Sequence, residues 1–147
     1  MIATFDLNVV VDDFANRASF ASDSQAALGL VEKRVITGVF AAHAITTLYY
    51  ILRKAVGFRK AELAVEYVLD NFEIWGAEKE DWRSALEWRF EDFEDAAIAK
   101  VAELSESHFI VTRDQGDFVK SSVPTITPAE LVRLFASSNP AGPQTPP

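Results

Sequence analysis

The sequence predicts an α/β fold built on a central parallel sheet with helices over both faces. Three observations lead there. Short β-rich runs alternate with longer stretches of helical periodicity. A length of 147 residues with 49% hydrophobic content suits one core and argues against two. Acidic residues also follow the first and fourth strand runs, where an open α/β sheet gathers its ligands.

Taken in order, Ile2-Ala3-Thr4-Phe5 reads as a short buried strand that ends in Asp6-Leu7-Asn8. Residues 9–14 continue apolar and residues 17–23 turn polar. Ser22 or Ser24 is the expected cap of a helix through Arg34 that buries Ala27, Leu30 and Val31. Residues 35–40 read as a second strand. Residues 41–55 form an apolar helix stopped by Gly57, and residues 59–71 form another with Leu63, Tyr67 and Val68 on one side. Residues 72–75 are a third strand candidate, and residues 80–89 a short amphipathic helix through Trp82 and Leu86. A helix over residues 92–105 then leads into a strand at 108–112. Residues 123–126 suit a short edge strand, and Thr127-Pro128 a cap with proline at the first position of a last helix reaching about Phe135. Residues 1–136 are thus one domain, followed by a Pro-, Ser- and Gly-rich tail over 137–147 that is expected to be disordered.

Composition narrows the chemistry. With no cysteine, a disulfide framework, a thiolate zinc site and a cysteine nucleophile are all excluded. An oxygen-rich, sulfur-free inventory favours Mg²⁺ or Mn²⁺ over zinc. No apolar run approaches the roughly 20 residues of a membrane helix, and the N-terminus lacks the pattern of a signal peptide, so a cytoplasmic protein is expected. A net charge of -8 argues against a basic nucleic-acid coating protein. It is compatible with an enzyme on nucleic acid, because clustered metal ligands are themselves acidic and a bound cation restores attraction to phosphate.

The candidate residues cluster. Asp6 ends the first strand, and Thr112 and Asp114 follow the fourth, with Asp117 a turn further on. In the helix that begins near Asp92, a stripe of Phe93, Ala97, Val101 and Leu104 is expected to face the core. Asp92 and Asp95 then lie on one flank of it, and Glu94 is expected on the other side, in solvent. Carboxylates converging at strand ends repel one another unless a divalent cation binds them. Simpler roles exist for some of these groups: Asp92 as a helix cap, Asp114-Gln115-Gly116-Asp117 as a turn, and His43 as a capping or packing residue. Asn8 is expected to orient the Asp6 loop. His43, Thr47 and Tyr50 share a line of their helix, opposite Ile45, Leu48 and Leu52, and are expected to face the cleft.

The segments Phe5-Asp6-Leu7-Asn8-Val9-Val10-Val11-Asp12, Ala44-Ile45-Thr46-Thr47-Leu48-Tyr49-Tyr50-Ile51-Leu52, Asp92-Phe93-Glu94-Asp95-Ala96 and Thr112-Arg113-Asp114-Gln115-Gly116-Asp117-Phe118 resemble, in that order, the PIN-domain family. Residues 123–130 resemble the end of the same domain. The resemblance implies a compact three-layer α/β/α domain whose acidic residues bind Mg²⁺ or Mn²⁺. It also implies kinship with small toxin ribonucleases of the VapC type, which are held inactive by an antitoxin and are commonly dimeric. Asp6 matches the first acid, Asp95 the third and Asp114 the fourth, with Asp117 a nearby substitute and Thr112 the hydroxyl residue beside the fourth. The chain departs at the second acid, where the family usually has Glu and Thr47 stands here. The resemblance then leaves that ligand position lost, reached through water, or replaced by Asp92 or His43.

The leading expectation is a metal-dependent endoribonuclease with Asp6, Asp95 and Asp114 as catalytic metal ligands. Arg113 and Lys120 would contact the RNA backbone, and the protein would form a homodimer and pair with a cognate antitoxin. The alternative is a catalytically impaired PIN-like module that acts through protein contacts. A phosphatase of the haloacid-dehalogenase type fits poorly, since that chemistry needs an Asp two residues after the nucleophile and Asn8 stands there.

Overall fold

The computed structural model describes residues 1–137, so the expected tail lies outside the described residues except for Ser137. Five strands, β1 (Ile2–Phe5), β2 (Thr37–Ala41), β3 (Glu73–Trp75), β4 (Phe109–Val111) and β5 (Thr125–Ile126), form one sheet in the order β3-β2-β1-β4-β5. Every pairing is parallel, with Thr4 opposite both Val39 and Ile110. Among the described residues seven α-helices flank this sheet in the expected three-layer α/β/α arrangement. Ala3, Thr4 and Phe5 of the central strand are buried without alternation, as expected of a strand covered on both faces.

Residues 9–14 prove to belong to a helix, α1 (Leu7–Phe14), capped by Asp6. Its valines are poor helix formers, but Leu7, Val9, Val10 and Val11 are all buried as α1 packs against neighbouring helices, and burial outweighs propensity. In α2 (Ala21–Glu32) the cap position is Phe20, without a side-chain hydrogen bond, so neither Ser22 nor Ser24 caps it. Ser24 is buried inside the helix, and Leu28 rather than Leu30 is fully buried. The second strand begins two residues later than expected. Arg34, with φ at 60°, turns the chain, and the N–H groups of Val35 and Ile36 are spent on the Leu30 carbonyl.

The third helix, α3 (Ala44–Val56), ends as expected at Gly57, whose φ of 93° only glycine adopts freely. In α4 (Phe58–Asn71) Ala61, Ala64 and Val68 are buried and Leu63 is exposed, so the core stripe is rotated from the expected one. Helix α5 (Lys79–Glu87) likewise buries Ala85 and leaves Leu86 in solvent. In both helices a small residue sits where the neighbouring element comes close. Gly38 in β2 shows the same crowding: a Cβ there would lie 2.7 Å from the Phe72 ring and 2.8 Å from Val31.

Helix α6 (Phe93–Leu104) packs on β1, β2 and β4 and is buried all round from Ala96 to Ala102, while Phe93 at its start is exposed. The alanines let it lie close to the sheet. The last helix, α7 (Pro128–Ser137), starts as expected: the Glu130 N–H donates to Thr127 Oγ1 at 3.2 Å and the Thr127 N–H to Glu130 Oε2 at 2.9 Å. No helix among the described residues is long and apolar enough to cross a membrane.

An acidic cleft at the ends of two central strands

From β1 the chain winds outward through β2 and β3, then returns to the other side of β1 as β4. The order reverses between β1 and β4, and a ligand crevice belongs beyond their carboxyl ends. Asp6 is the first residue after β1, and Thr112 and Asp114 stand just past β4. Asp6 is buried, at 2% exposure. Thr112 Oγ1 donates to its Oδ2 at 2.9 Å, and the Asn8 N–H approaches its Oδ1 at 3.4 Å. Thr112 Oγ1 in turn accepts from the Asp114 N–H at 3.0 Å, and Asn8 Nδ2 donates to Asp114 Oδ2 at 3.3 Å. Asn8 thus ties Asp114 to the Asp6 loop. Burial raises the Asp6 pKa to about 6 against the opposing pull of the Thr112 hydroxyl and the Asn8 amide.

Helix α6 brings the other acids. Asp92 caps it, accepting from the Glu94 N–H at 2.8 Å. Asp95 is half-buried in the first turn. Burial, then the charges of Asp6, Asp92, Asp117 and Glu94, raise its pKa to about 7. Among the described residues no hydrogen bond or ion pair reaches the Asp95 carboxylate.

Glu94 corrects an expectation. It turns toward the cleft instead of solvent, and Thr47 Oγ1 donates to its Oε2 at 3.2 Å. Burial and the charge of Asp92 raise its pKa, while the Thr47 bond lowers it. The error came from assigning Phe93 to the core. Burial in α6 begins only at Ala96, so the first turn is free to present its acids outward. Three acids within four residues, Asp92, Glu94 and Asp95, were the available signal.

A cleft of about 180 Å³ is lined by Asp6, Leu7, Asn8, Thr47, Ile51, Asp92, Glu94 and Asp95. A larger one of about 450 Å³ is lined by residues that include Asp92, Asp95, Asp117 and Lys120. Asp92 and Asp95 line both and stand between them. Lys120 Nζ donates to the Arg89 carbonyl at 2.6 Å.

The remaining candidates do not line the smaller cleft. Arg113 is held inward: its Nε donates to Asp12 Oδ2 at 2.7 Å and its Nη1 to Asp114 Oδ1 at 3.2 Å, while the guanidinium stacks 4.5 Å from the Phe20 ring. Asp12, which sequence reasoning passed over, is fully buried and also pairs with Arg17 at 3.4 Å. Tyr50 is 57% exposed under Lys54 and does not face the cleft. The His43 ring meets Trp82 edge-on at 5.3 Å, and its Nε2 is buried without a hydrogen-bond partner. Burial lowers the His43 pKa. A hydrogen bond to the Glu94 backbone acts against that shift, so His43 sits beside the acidic cleft without lining it.

Among the described residues no three His, Asp or Glu side chains are already spaced to hold one metal ion. The donor chemistry nonetheless fits Mg²⁺ or Mn²⁺. Mg²⁺ keeps several waters and is commonly held by one or two carboxylates together with substrate phosphate, so it needs no closed protein cage. A carboxylate without a hydrogen bond or ion pair among the described residues, raised by the charges of four acids, is a place where a cation is favourable.

A family model described as the PIN domain matches residues 3–116. Among solved structures, the chain is similar to VapBC2 from Rickettsia felis bound to a promoter DNA fragment, with 18% identity, a TM-score of 0.65, and coverage of 86% of this chain and 98% of that one. It is similar to VapC20 of Mycobacterium tuberculosis, a toxin described as cleaving the sarcin–ricin loop, with 14% identity, a TM-score of 0.62 and coverage of 74% and 86%. VapBC-1 from nontypeable Haemophilus influenzae gives 15% identity, a TM-score of 0.62 and coverage of 87% and 98%. Comparison with curated proteins gives no match. At these identities the solved structures speak for the fold, and the family match over most of the chain carries the assignment: the chain belongs to the PIN domain family.

Proposed function

We propose that the chain is a Mg²⁺- or Mn²⁺-dependent endoribonuclease that acts in the cytoplasm as the toxin of a type II toxin-antitoxin pair. The observation that carries this reading is the half-buried Asp95 carboxylate, set among Asp6, Asp92, Glu94 and Asp117 with no hydrogen bond or ion pair to it among the described residues. The PIN domain and its VapC-like relatives supply the nuclease class, and the neighbours found as VapBC complexes support an antitoxin partner. A homodimer belongs to the same proposal.

Asp6, Asp95 and Asp114 would hold the ion. An ion held there supplies the Lewis acid that polarises a phosphodiester and favours attack by water. The chain's own groups do the positioning. Thr112 and Asn8 hold the Asp6 and Asp114 carboxylates in place, and Lys120, at the rim of the larger cleft, offers its ammonium to a backbone phosphate. Arg113, bound to Asp12 and Asp114, acts by holding Asp114 and not by contacting the RNA.

The test is incubation of the protein and its Asp6→Asn variant with mixed structured RNAs in Mg²⁺, Mn²⁺ or EDTA. Discrete fragments from the unaltered chain alone, lost in EDTA, are the expected result. Thr47 at the second acid position favours a second reading, a PIN domain without chemistry that works through a protein partner. Bound metal without cleavage of any RNA, together with stable copurification of a partner, would select it.

A further inference from the structure

The wall of the cleft formed by α3 carries no acid, because Thr47 faces it where the family resemblance places a carboxylate. What Thr47 does with its hydroxyl is visible: it donates at 3.2 Å to Glu94 Oε2, and Asp6, Asp92, Asp95, Thr47 and Glu94 line the same space. We propose that Glu94, drawn to the α3 wall by Thr47, supplies the carboxylate missing from position 47, so that the negative charge has moved from α3 to α6 without leaving the cleft. This inference rests on the metal-nuclease reading above.

Three features support it. The hydroxyl of Thr47 is short, and its hydrogen bond engages one Glu94 oxygen while leaving Oε1 free, since no other described group donates to that carboxylate. The backbone N–H of Glu94 is already satisfied by the Asp92 cap, so its side chain is not needed for the helix end. Glu94 itself is half-buried, between exposed Phe93 and buried Ala96 along the first turn, at the boundary where the cleft opens. Thr47 is then a positioning residue and Glu94 a ligand residue for the cation.

The measurement is Mn²⁺ affinity by calorimetry, with the unfolding midpoint of each metal-free variant recorded alongside. The variants are Glu94→Gln, Asp6→Asn and the double exchange Thr47→Glu/Glu94→Gln. Glu94→Gln is expected to weaken Mn²⁺ binding by at least about tenfold, because substitution even around a metal's direct ligands costs about 10- to 100-fold. Its midpoint should stay near that of the unaltered chain, since Gln still accepts from Thr47. The double exchange should return affinity most of the way, because it restores one carboxylate to the α3 wall. Unchanged affinity in Glu94→Gln, beside a loss in Asp6→Asn, would overturn the inference and leave the metal site standing. Weak binding that the double exchange fails to rescue would overturn the relocation as well. If the unaltered chain and Asp6→Asn both fail to bind Mn²⁺, the underlying reading falls and this inference with it.

Discussion

A single carboxylate in α1 and a group of carboxylates at the strand ends are handled in opposite ways in this fold. Asp12, in α1, is fully buried and answered by Arg113 at 2.7 Å and Arg17 at 3.4 Å. Asp95, Asp6, Asp92 and Glu94 share a cleft at the strand ends in which acid faces acid. Asp6, at 2% exposure, is nearly as buried as Asp12, so burial does not separate the two sites. Charge balance does. A buried acid with its cations supplied by the chain is part of the scaffold; acids gathered facing one another, with no ion pair to Asp6, Asp92, Glu94 or Asp95 among the described residues, suit the external cation proposed above. Arg113 marks the border, since the same guanidinium answers Asp12 and reaches Asp114.

Substitutions on the two sides should therefore fail in different assays. The largest effect is expected from Asp6→Asn, which should lower metal-dependent RNA cleavage by more than about 100-fold, beyond the 10- to 100-fold typical of residues around a direct ligand. Its unfolding midpoint in denaturant should not fall, because the change removes a buried charge. Arg113→Met should do the reverse in stability, destabilising the fold by about 3 kcal/mol, since breaking a buried pair costs about 3–5 kcal/mol and Arg17 remains to offset part of it. A midpoint equal to that of the unaltered chain would show Asp12 to be adequately served by Arg17 alone.

The pH response sharpens the same contrast. Asp6 and Asp95 have folded pKa values raised to about 6 and about 7 from the 3.8 of a free Asp side chain. The folded state therefore holds protons more tightly than the unfolded chain, and the stability this confers is complete below about pH 4 and lost as pH rises through 6 and 7. In EDTA the thermal midpoint should fall between pH 5 and pH 8 by several degrees, and Mn²⁺ should recover most of the loss at pH 8. Asp95→Asn should flatten that slope; a slope that persists in this variant would assign it to other groups. The smallest effect is expected at Lys120. Lys120→Ala should weaken RNA binding modestly across sequences and lower the salt slope by about one, with cleavage per bound RNA unchanged.

Much of the fold was legible in the chain. Strand runs at both ends of the molecule, the Gly57 stop and the Thr127-Pro128 start all read correctly, because each is decided by residues adjacent in sequence. Reading failed where the burying partner was distant. A run of valines became α1 because other helices cover it, and Leu63 and Leu86 ended in solvent because Ala61 and Ala85 met closer neighbours. The places of Asp6 and Asp114 after strands, and of Asp95 in a helix's first turn, were legible, and their roles as ligands belong to the proposal. Glu94 was placed on the wrong side, and Asp12 was passed over.

What the sequence determined by itself was the order of elements, the parallel sheet and a set of acids carried to one end of it. Periodicity, turn chemistry and the position of a residue after a strand are local properties, and strand direction follows from the alternation with helices. The tertiary structure alone decided which acid is paired and which is not. That depends on cations brought from far along the chain, Arg113 to Asp12 across 101 residues, and on a hydroxyl, Thr47, that meets Glu94 only after α3 and α6 have packed. Electrostatic pairing acts through a few ångströms of space, and only the folded chain sets those distances.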